Sequence, residues 1–344
     1  MSPQPIVFRW LALLAVGASL WPAWAGAQGQ DVAATGPLSA ADARNWLQRV
    51  QSAARNGNFQ GTLVYSASGQ LSSSRVWHFV VGEQTYELME AQDGRQQRIA
   101  RHNDNVLTLW PQNKTAVAEK RETPAGWSTT PQALDPQALE QYELKREANA
   151  RVAGREAAVL FLEPRDALRY AQRLWADLSS GLMLRADVLG DPAQGVRALL
   201  ESTAFSQVEI GVRPQPDLVL QLMKRLDGMQ VLRPQQKRTS LEAEGWALGR
   251  PVSGFKLAGC VVRGMETAGD GEPVMQAVFT DGLTHVSVFV EPYKPQRHRA
   301  EVQAQQGATT TLMQRRGEHW VTAVGDVPPA TLKQFALALE RRRP

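Results

Sequence analysis

The sequence predicts an α+β fold in which a long antiparallel sheet curls on itself and a smaller α+β unit follows. Three observations point there. Between residues 59 and 210, short runs of β-branched and aromatic residues recur, separated by Gly, Asp, Asn and Ser, the pattern of successive antiparallel strands. Helical periodicity is confined to a few stretches, at 39–57, near 218–226 and at the C-terminus. A proline-bearing, charged and Gln-rich segment at 211–245 interrupts the strand series, and further strand-like runs follow it. With 344 residues and 43% hydrophobic content the chain can bury a sizeable core. That length suits two domains, expected at 28–210 and 246–344 with 211–245 as linker.

Residues 1–27 read as a secretion signal, because Arg9 precedes an apolar run at 10–20 that leads to Ala25-Gly26-Ala27, a small-x-small cleavage site. The apolar run, roughly ten residues, is half of the ~20 that a spanning helix needs. No cysteine follows the cleavage site, which argues against an acylated lipoprotein. The single Cys260 leaves no intramolecular disulfide, so stability must come from the core even in an oxidising compartment. Loss of Arg9 with the signal takes the basic residues from 38 to 37 against 34 acidic ones, a net charge of +3. That balance, with export, excludes a nucleic-acid footprint. It fits ordinary solvation or, alternatively, an anionic protein or lipid partner.

Ser39 to Asp42 forms a capping-box-like start with Asp in place of Glu. Ala43, Trp46, Leu47, Val50 and Ala54 recur at helical spacing, Asn56-Gly57 ends the helix, and one of its faces should lie on the sheet. Runs 59–65 and 75–81 are the leading strands, separated by a Ser- and Gly-containing connector suited to a long hairpin. Counting in twos puts Phe59, Leu63 and Tyr65 on one face of the first strand and Trp77, Phe79 and Val81 on one face of the second, with Val64, Val76 and Val80 opposite. Such a sheet must cover both faces or expose one for binding. Runs 84–89, 97–101, 106–110 and 115–119 continue the series, with turns at Asp93-Gly94 and 103–105. Segment 122–141 carries Pro124, Pro131 and Pro136 and reads as a loop with one short helix. Strands resume at 151–163, 170–178, 182–188 and 196–210, and a sheet of about ten strands curls instead of staying flat.

In the second unit, 255–263, 274–280, 283–291, 309–316 and 319–324 are strand candidates, and Asp281-Gly282 is a strong signal for a two-residue hairpin turn. Pro328-Pro329 opens a closing helix with Leu332, Phe335, Ala336 and Leu339 on one face and Arg341, Arg342 and Arg343 in the last turn.

No catalytic or metal-binding pattern emerges. The five histidines show neither HExxH nor paired ligand spacing, Cys260 has no CxxC partner, and nucleophile-elbow, P-loop and dinucleotide motifs are missing. His78 and His285 read as packed strand residues. The expectation is a binding protein that is not an enzyme and uses no cofactor. Tyr65, Trp77, Phe79, Trp110, Phe161, Tyr170 and Trp175 either fill a core or line the hollow of the curled sheet. In a hollow, an acyl chain of about a dozen methylenes gains roughly 10 kcal/mol. One arginine–phosphate contact gives ~1.5–3 kcal/mol. A lipid would then be held by aromatics such as Trp77, Phe79 and Trp110 and oriented by Arg165 and Arg169, unless these arginines pair with Asp166 or Asp177.

NFQGTLVY at 58–65, RVWH at 75–78, RVAGR at 151–155, PRD at 164–166 with Arg169-Tyr170, and RLW at 173–175 with Asp177 and SGL at 180–182 together resemble the MucB/RseB family. These are periplasmic regulators of the envelope-stress sigma factor sigma-E. TDGL at 280–283, VSVFVEP at 286–292, Gly307-Ala308 and VGDVP at 324–328 agree, while QAVF at 276–279 departs from the family pattern. The resemblance implies a large LolA/LolB-like half-barrel with helices in its concavity, joined to a small α+β C-terminal domain. It also implies a periplasmic location and binding of the periplasmic segment of an RseA/MucA-type anti-sigma factor. Binding would shield that segment from the initiating protease, with lipid A or lipopolysaccharide as the release signal. Partner contacts are expected around Thr280, Asp281, Gly282 and Leu283 and on the facing rim of the large sheet; the alternative for this hairpin is a purely structural turn. The runner-up function is a periplasmic lipid or lipoprotein carrier with no signalling partner. Assembly into a homo-oligomer is left open.

Overall fold

Among the described residues, thirteen strands hydrogen-bond into one open sheet. Their spatial order is Gly36–Pro37, Tyr142–Val152, Arg155–Pro164, Ala171–Asp177, Met183–Ala193, Val196–Ile210, Phe59–Ala67, Gln70–Val81, Gln84–Ala91, Arg98–His102, Asn105–Trp110, Thr115–Lys120 and Gln230–Leu232. The computed structural model describes residues 35–120, 138–193, 196–264, 273–298 and 300–342. The expected signal, most of the proline-bearing segment 122–141 and Arg343 lie outside these residues. Neighbouring strands run antiparallel, except that Gln230–Leu232 joins Thr115–Lys120 in parallel. Tyr142–Val152 and Val196–Ile210 approach each other although three strands lie between them. Ala150 and Val152 accordingly share an apolar cluster with Val208 and Ile210. The sheet is therefore curved, helped by register shifts at Val188/Leu189 and Phe205/Gln207. Among the described residues its end strands do not pair with each other, so it stays open.

Helix α1, Ala40–Asn56, starts where Ser39 Oγ accepts from the Asp42 amide at 3.1 Å and ends at Gly57. Its Ala43 and Val50 pack on Tyr142, Leu144, Leu160, Leu162, Leu174, Ala176 and Met183. The short helix α2 spans Ala138–Gln141. Helix α3, Pro216–Lys224, sets Val219 on Trp77, Phe79, Leu88 and Ala100. Both faces of the strand Gln70–Val81 are thus covered over Val76 to Phe79. Val76 lies in the cluster of Phe59 and Leu63, and its neighbour Trp77 lies beneath α3.

The second sheet has, among the described residues, seven strands in the order Gln236–Arg238, Lys256–Gly264, Pro273–Thr280, His285–Pro292, His319–Gly325, Thr309–Arg316 and Val302–Gln306. Helix α4, Pro329–Ala338, covers one face of it, with the Phe335 ring 4.9 Å from Phe279 and 5.3 Å from Phe255. A two-stranded sheet, Trp246–Leu248 with Leu339–Arg341, closes that core.

Several elements differ from expectation for identifiable reasons. The connector after residue 65 is a tight turn, because Ser68 and Gly69 both take positive φ and let the two strands pair to Ala67↔Gln70. A strand was missed at Tyr142–Val152, whose charged face hides its alternation, and it folds back on Arg155–Pro164 through Ala153-Gly154, also at positive φ. The closing helix stops at Ala338, so Arg341 is not in its last turn. Strand pairing with Trp246–Leu248 captures residues 339–341, and the Arg341 guanidinium lies 5.3 Å from the Trp246 ring centre. The stretch 211–245 holds α3, the parallel last strand of the large sheet and the first strand of the small one.

Asp177 organises the turn after Ala171–Asp177. Burial opposes its ionisation, but the Arg155 guanidinium at 2.7 Å and the Ser179 and Ser180 groups outweigh burial and hold its carboxyl well below the usual carboxylate range. A carboxyl depressed in the folded state adds stability above its unfolded value and loses that stability as pH falls. Asp177→Asn is therefore expected to cost roughly 2 kcal/mol at neutral pH, and urea unfolding should show the gap from wild type closing below about pH 4. Phe79 is fully buried. Phe79→Ala should cost about 3–5 kcal/mol in the same assay.

Candidate functional site

The two sheets meet along a seam, and the hairpin loop after Pro273–Thr280 is its centre. The loop has four residues, 281–284, instead of a two-residue turn, because the Asp281 carboxylate accepts the amides of Leu283 (2.9 Å) and Thr284 (2.8 Å) and so winds the chain around itself. Thr280 Oγ1 donates to the Thr284 carbonyl at 2.8 Å and accepts the Gly282 amide at 2.9 Å. The other Asp281 oxygen faces the large sheet. It accepts from Arg169 Nε at 2.7 Å and from the Tyr142 hydroxyl at 3.3 Å. Leu283 inserts beside Trp46 and Leu47 of α1. This loop is built into the seam by its apolar tip and by its charge together.

Arg169 is the large sheet's half of this contact. Its side chain is fully buried. Besides Asp281 it reaches Asp166 through Nη1 at 2.5 Å and the Ser253 carbonyl through Nη2 at 2.7 Å, and its guanidinium lies 4.7 Å from the Phe255 ring centre. The ion-pair alternative holds for this residue, with Asp281 in place of Asp177, which Arg155 occupies. Gly254 makes the approach possible. At its φ of +75° a Cβ would stand 2.2 Å from Arg169 Nη2. Tyr142 is buried, and burial followed by the neighbouring Asp281 charge pushes its phenol well up, so it stays a neutral donor. Next to this group, Thr331 of α4 donates to the Leu168 carbonyl at 2.9 Å.

A second contact lies at the rim of the large sheet. The Gly307 amide donates to Ser68 Oγ at 2.8 Å, Gln305 Nε2 to the Tyr170 hydroxyl at 3.1 Å, and the Tyr65 hydroxyl to Glu201 at 3.0 Å. Tyr65, Ala304, Gln305, Gln306, Thr309 and Thr311 line a cleft of about 480 Å³ here. Burial, then the charge of Asp326 from the small sheet, raises the Glu201 carboxyl. Burial, then Glu201, raises the Tyr65 phenol.

The expected ligand residues are not one constellation. Trp77 and Phe79 are core beneath α3, and Trp110 ends the strand Asn105–Trp110, far along the sheet from Arg169. Arg165 is exposed, and its amide donates to the Gln141 carbonyl at 2.9 Å. Of the expected partner residues, Thr280, Asp281, Gly282 and Leu283 do stand together, facing the large sheet. Tyr142, Ser253, Gly254, Leu168 and Thr331 were not anticipated in the seam; only the glycine carried a turn signal. His78 is packed, its ring stacked 4.9 Å from Phe59 and its Nδ1 2.8 Å from the Gly57 carbonyl. Among the described residues no group of three or more His, Cys, Asp or Glu is placed to hold a metal.

The family models described as the MucB/RseB N-terminal and C-terminal domains match residues 42–237 and 240–340. Over 309 residues the chain is 32% identical to the sigma factor AlgU regulatory protein MucB of Pseudomonas aeruginosa, across 87% of this chain and 91% of the relative. It is 23% identical over 300 residues to the sigma-E factor regulatory protein RseB of Haemophilus influenzae, with the same coverage of 87% and 91%. Among solved structures, the crystal structure of MucB in complex with MucA(peri) aligns with a TM-score of 0.65 at 28% identity, over 88% of this chain and 100% of that one. The crystal structure of MucB aligns with a TM-score of 0.63 at 27% identity, over 88% and 98%. With family models matching on both sides of residue 238 and a relative aligned over most of its length, the chain belongs to the MucB/RseB family.

Proposed function

We propose that this chain works in the periplasm as a regulator that holds the periplasmic segment of an RseA/MucA-type anti-sigma factor, shields it from the initiating protease and so keeps sigma-E sequestered. One observation carries the reading: the chain aligns with all of MucB as crystallised in complex with MucA(peri). The role asks for no reaction, and the buried ionisable groups Arg169, Asp177 and Asp281 serve packing and turn formation. The large-sheet unit, up to Leu232, and the small-sheet unit, from Gln236, act as two arms of the grip. Arg169 with the 280–283 hairpin sets the angle between them, and the partner lies where both arms reach it. A lipid or lipopolysaccharide signal releases the partner by favouring an arrangement that binds it less well. A carrier role would need the hollow side of the aromatics open, whereas Trp77 and Phe79 are covered by Val219.

The mature chain is expected to bind the anti-sigma factor's periplasmic domain in calorimetry and to slow its cleavage by the initiating protease. Absence of binding, with lipoproteins co-purifying instead, would establish the carrier reading. Arg169→Ala leaves Asp281 buried and unpaired and should cost about 3–5 kcal/mol of stability. The double variant Arg169→Met, Asp281→Asn keeps the acceptor for the Leu283 and Thr284 amides, so it should recover part of that stability and still bind the partner more weakly, because the angle between the arms is no longer fixed. Unchanged affinity in the double variant would remove the seam from the mechanism.

A further inference from the structure

Sheet edges are templates for strand addition, and most edges in this chain are blunted. The large sheet ends in the two-residue Gly36–Pro37, which carries a proline, and in the three-residue Gln230–Leu232. One edge of the small sheet is the three-residue Gln236–Arg238 with Lys237 and Arg238. Its other edge is different. Val302–Gln306 has five residues, VQAQQ, with neither charge nor proline, and all five are exposed. It pairs with Thr309–Arg316 on one side, and among the described residues no strand pairs with it on the other. This edge borders the cleft at Tyr65, a large side chain that is 37% exposed.

The surroundings select the occupant. Glu201 and Asp326 lie at the Gln306 end, and among the described residues no cation pairs with either. Glu201 accepts from Tyr65 and from the Ala308 amide, and Asp326 accepts from Thr309 Oγ1 at 2.6 Å. Glu301 precedes the other end of the strand, where it accepts the Arg315 amide at 3.1 Å. A second copy pairing antiparallel would bring its Glu301 towards Glu201 and Asp326, like charge against like. An extended segment with a basic residue at that end meets the opposite charge instead.

Resting on the partner reading above, we propose that the free edge of Val302–Gln306 binds the anti-sigma factor's periplasmic segment as an added β-strand, with a lysine or arginine of that segment set between Glu201 and Asp326. Main-chain bonds supply the grip along the edge, and the acidic pair fixes direction and register.

Hydrogen exchange of the full mature chain, alone and with the anti-sigma factor's periplasmic domain, tests this. The Gln303 and Gln305 amides, which point away from Thr309–Arg316, are expected to slow at least tenfold on complex formation. Gln303→Pro, which removes an outward N–H and leaves the ladder to Thr309–Arg316 intact, should weaken binding at least tenfold, and Glu201→Gln with Asp326→Asn should weaken it severalfold and flatten its salt dependence. A wild-type complex that forms while the Gln303 and Gln305 amides exchange at the free rate overturns the edge site and leaves the partner reading standing; no complex at all overturns both. Protection that appears on concentrating the chain alone assigns the edge to a second copy and overturns the proposal.

Discussion

The buried guanidinium of Arg169 is the constraint on which the arrangement of the two sheets depends. Removing a charge of this size from water costs several kcal/mol per ion even after relaxation, and two carboxylates, a carbonyl and an aromatic face offset that cost only in one geometry. The group adds little net stability over an apolar replacement but penalises every other alignment of the sheets. It acts on geometry more than on stability. Leu283 beside Trp46 and Leu47 supplies the non-directional part of the same contact.

That division of labour explains the four-residue form of the loop at 281–284. Asp281 uses one oxygen to wind its own loop and the other to reach across the seam, so the shape of the loop and the placement of the sheet are set by one carboxylate. The side chain that looked like a turn former is also an ion-pair partner. Gly254 belongs to the same device, since any larger residue there would displace the guanidinium.

Much of this architecture was legible in the chain. Alternating residues such as Phe59, Leu63, Trp77 and Phe79 declared strands, and Ser39 with Gly57 bounded the first helix, because these signals act over a few residues. What escaped depended on contacts distant in sequence. Tyr142–Val152 reads as charged and polar, Val302–Gln306 is short with only Val302 and Ala304 apolar, and residues 339–341 look helical until Trp246–Leu248 is beside them. The seam was half visible. TDGL at 280–283 is a clear turn signal, and Arg169 beside Asp166 fits an anion contact and an ion pair equally well. No local pattern could show that Asp281, 112 positions away, was its partner.

The large sheet ends with Gln230–Leu232 and the small one starts with Gln236–Arg238, so Arg233, Pro234 and Gln235 are all that join them. Four steps of extended chain reach no more than about 14 Å. The sheets therefore cannot slide apart along the seam. If the grip at Arg169 opens, the small sheet has to swing about this short strap like a door on its post, and the rim at Gly307 would sweep away from Ser68 while residues 232–236 stay nearly in place.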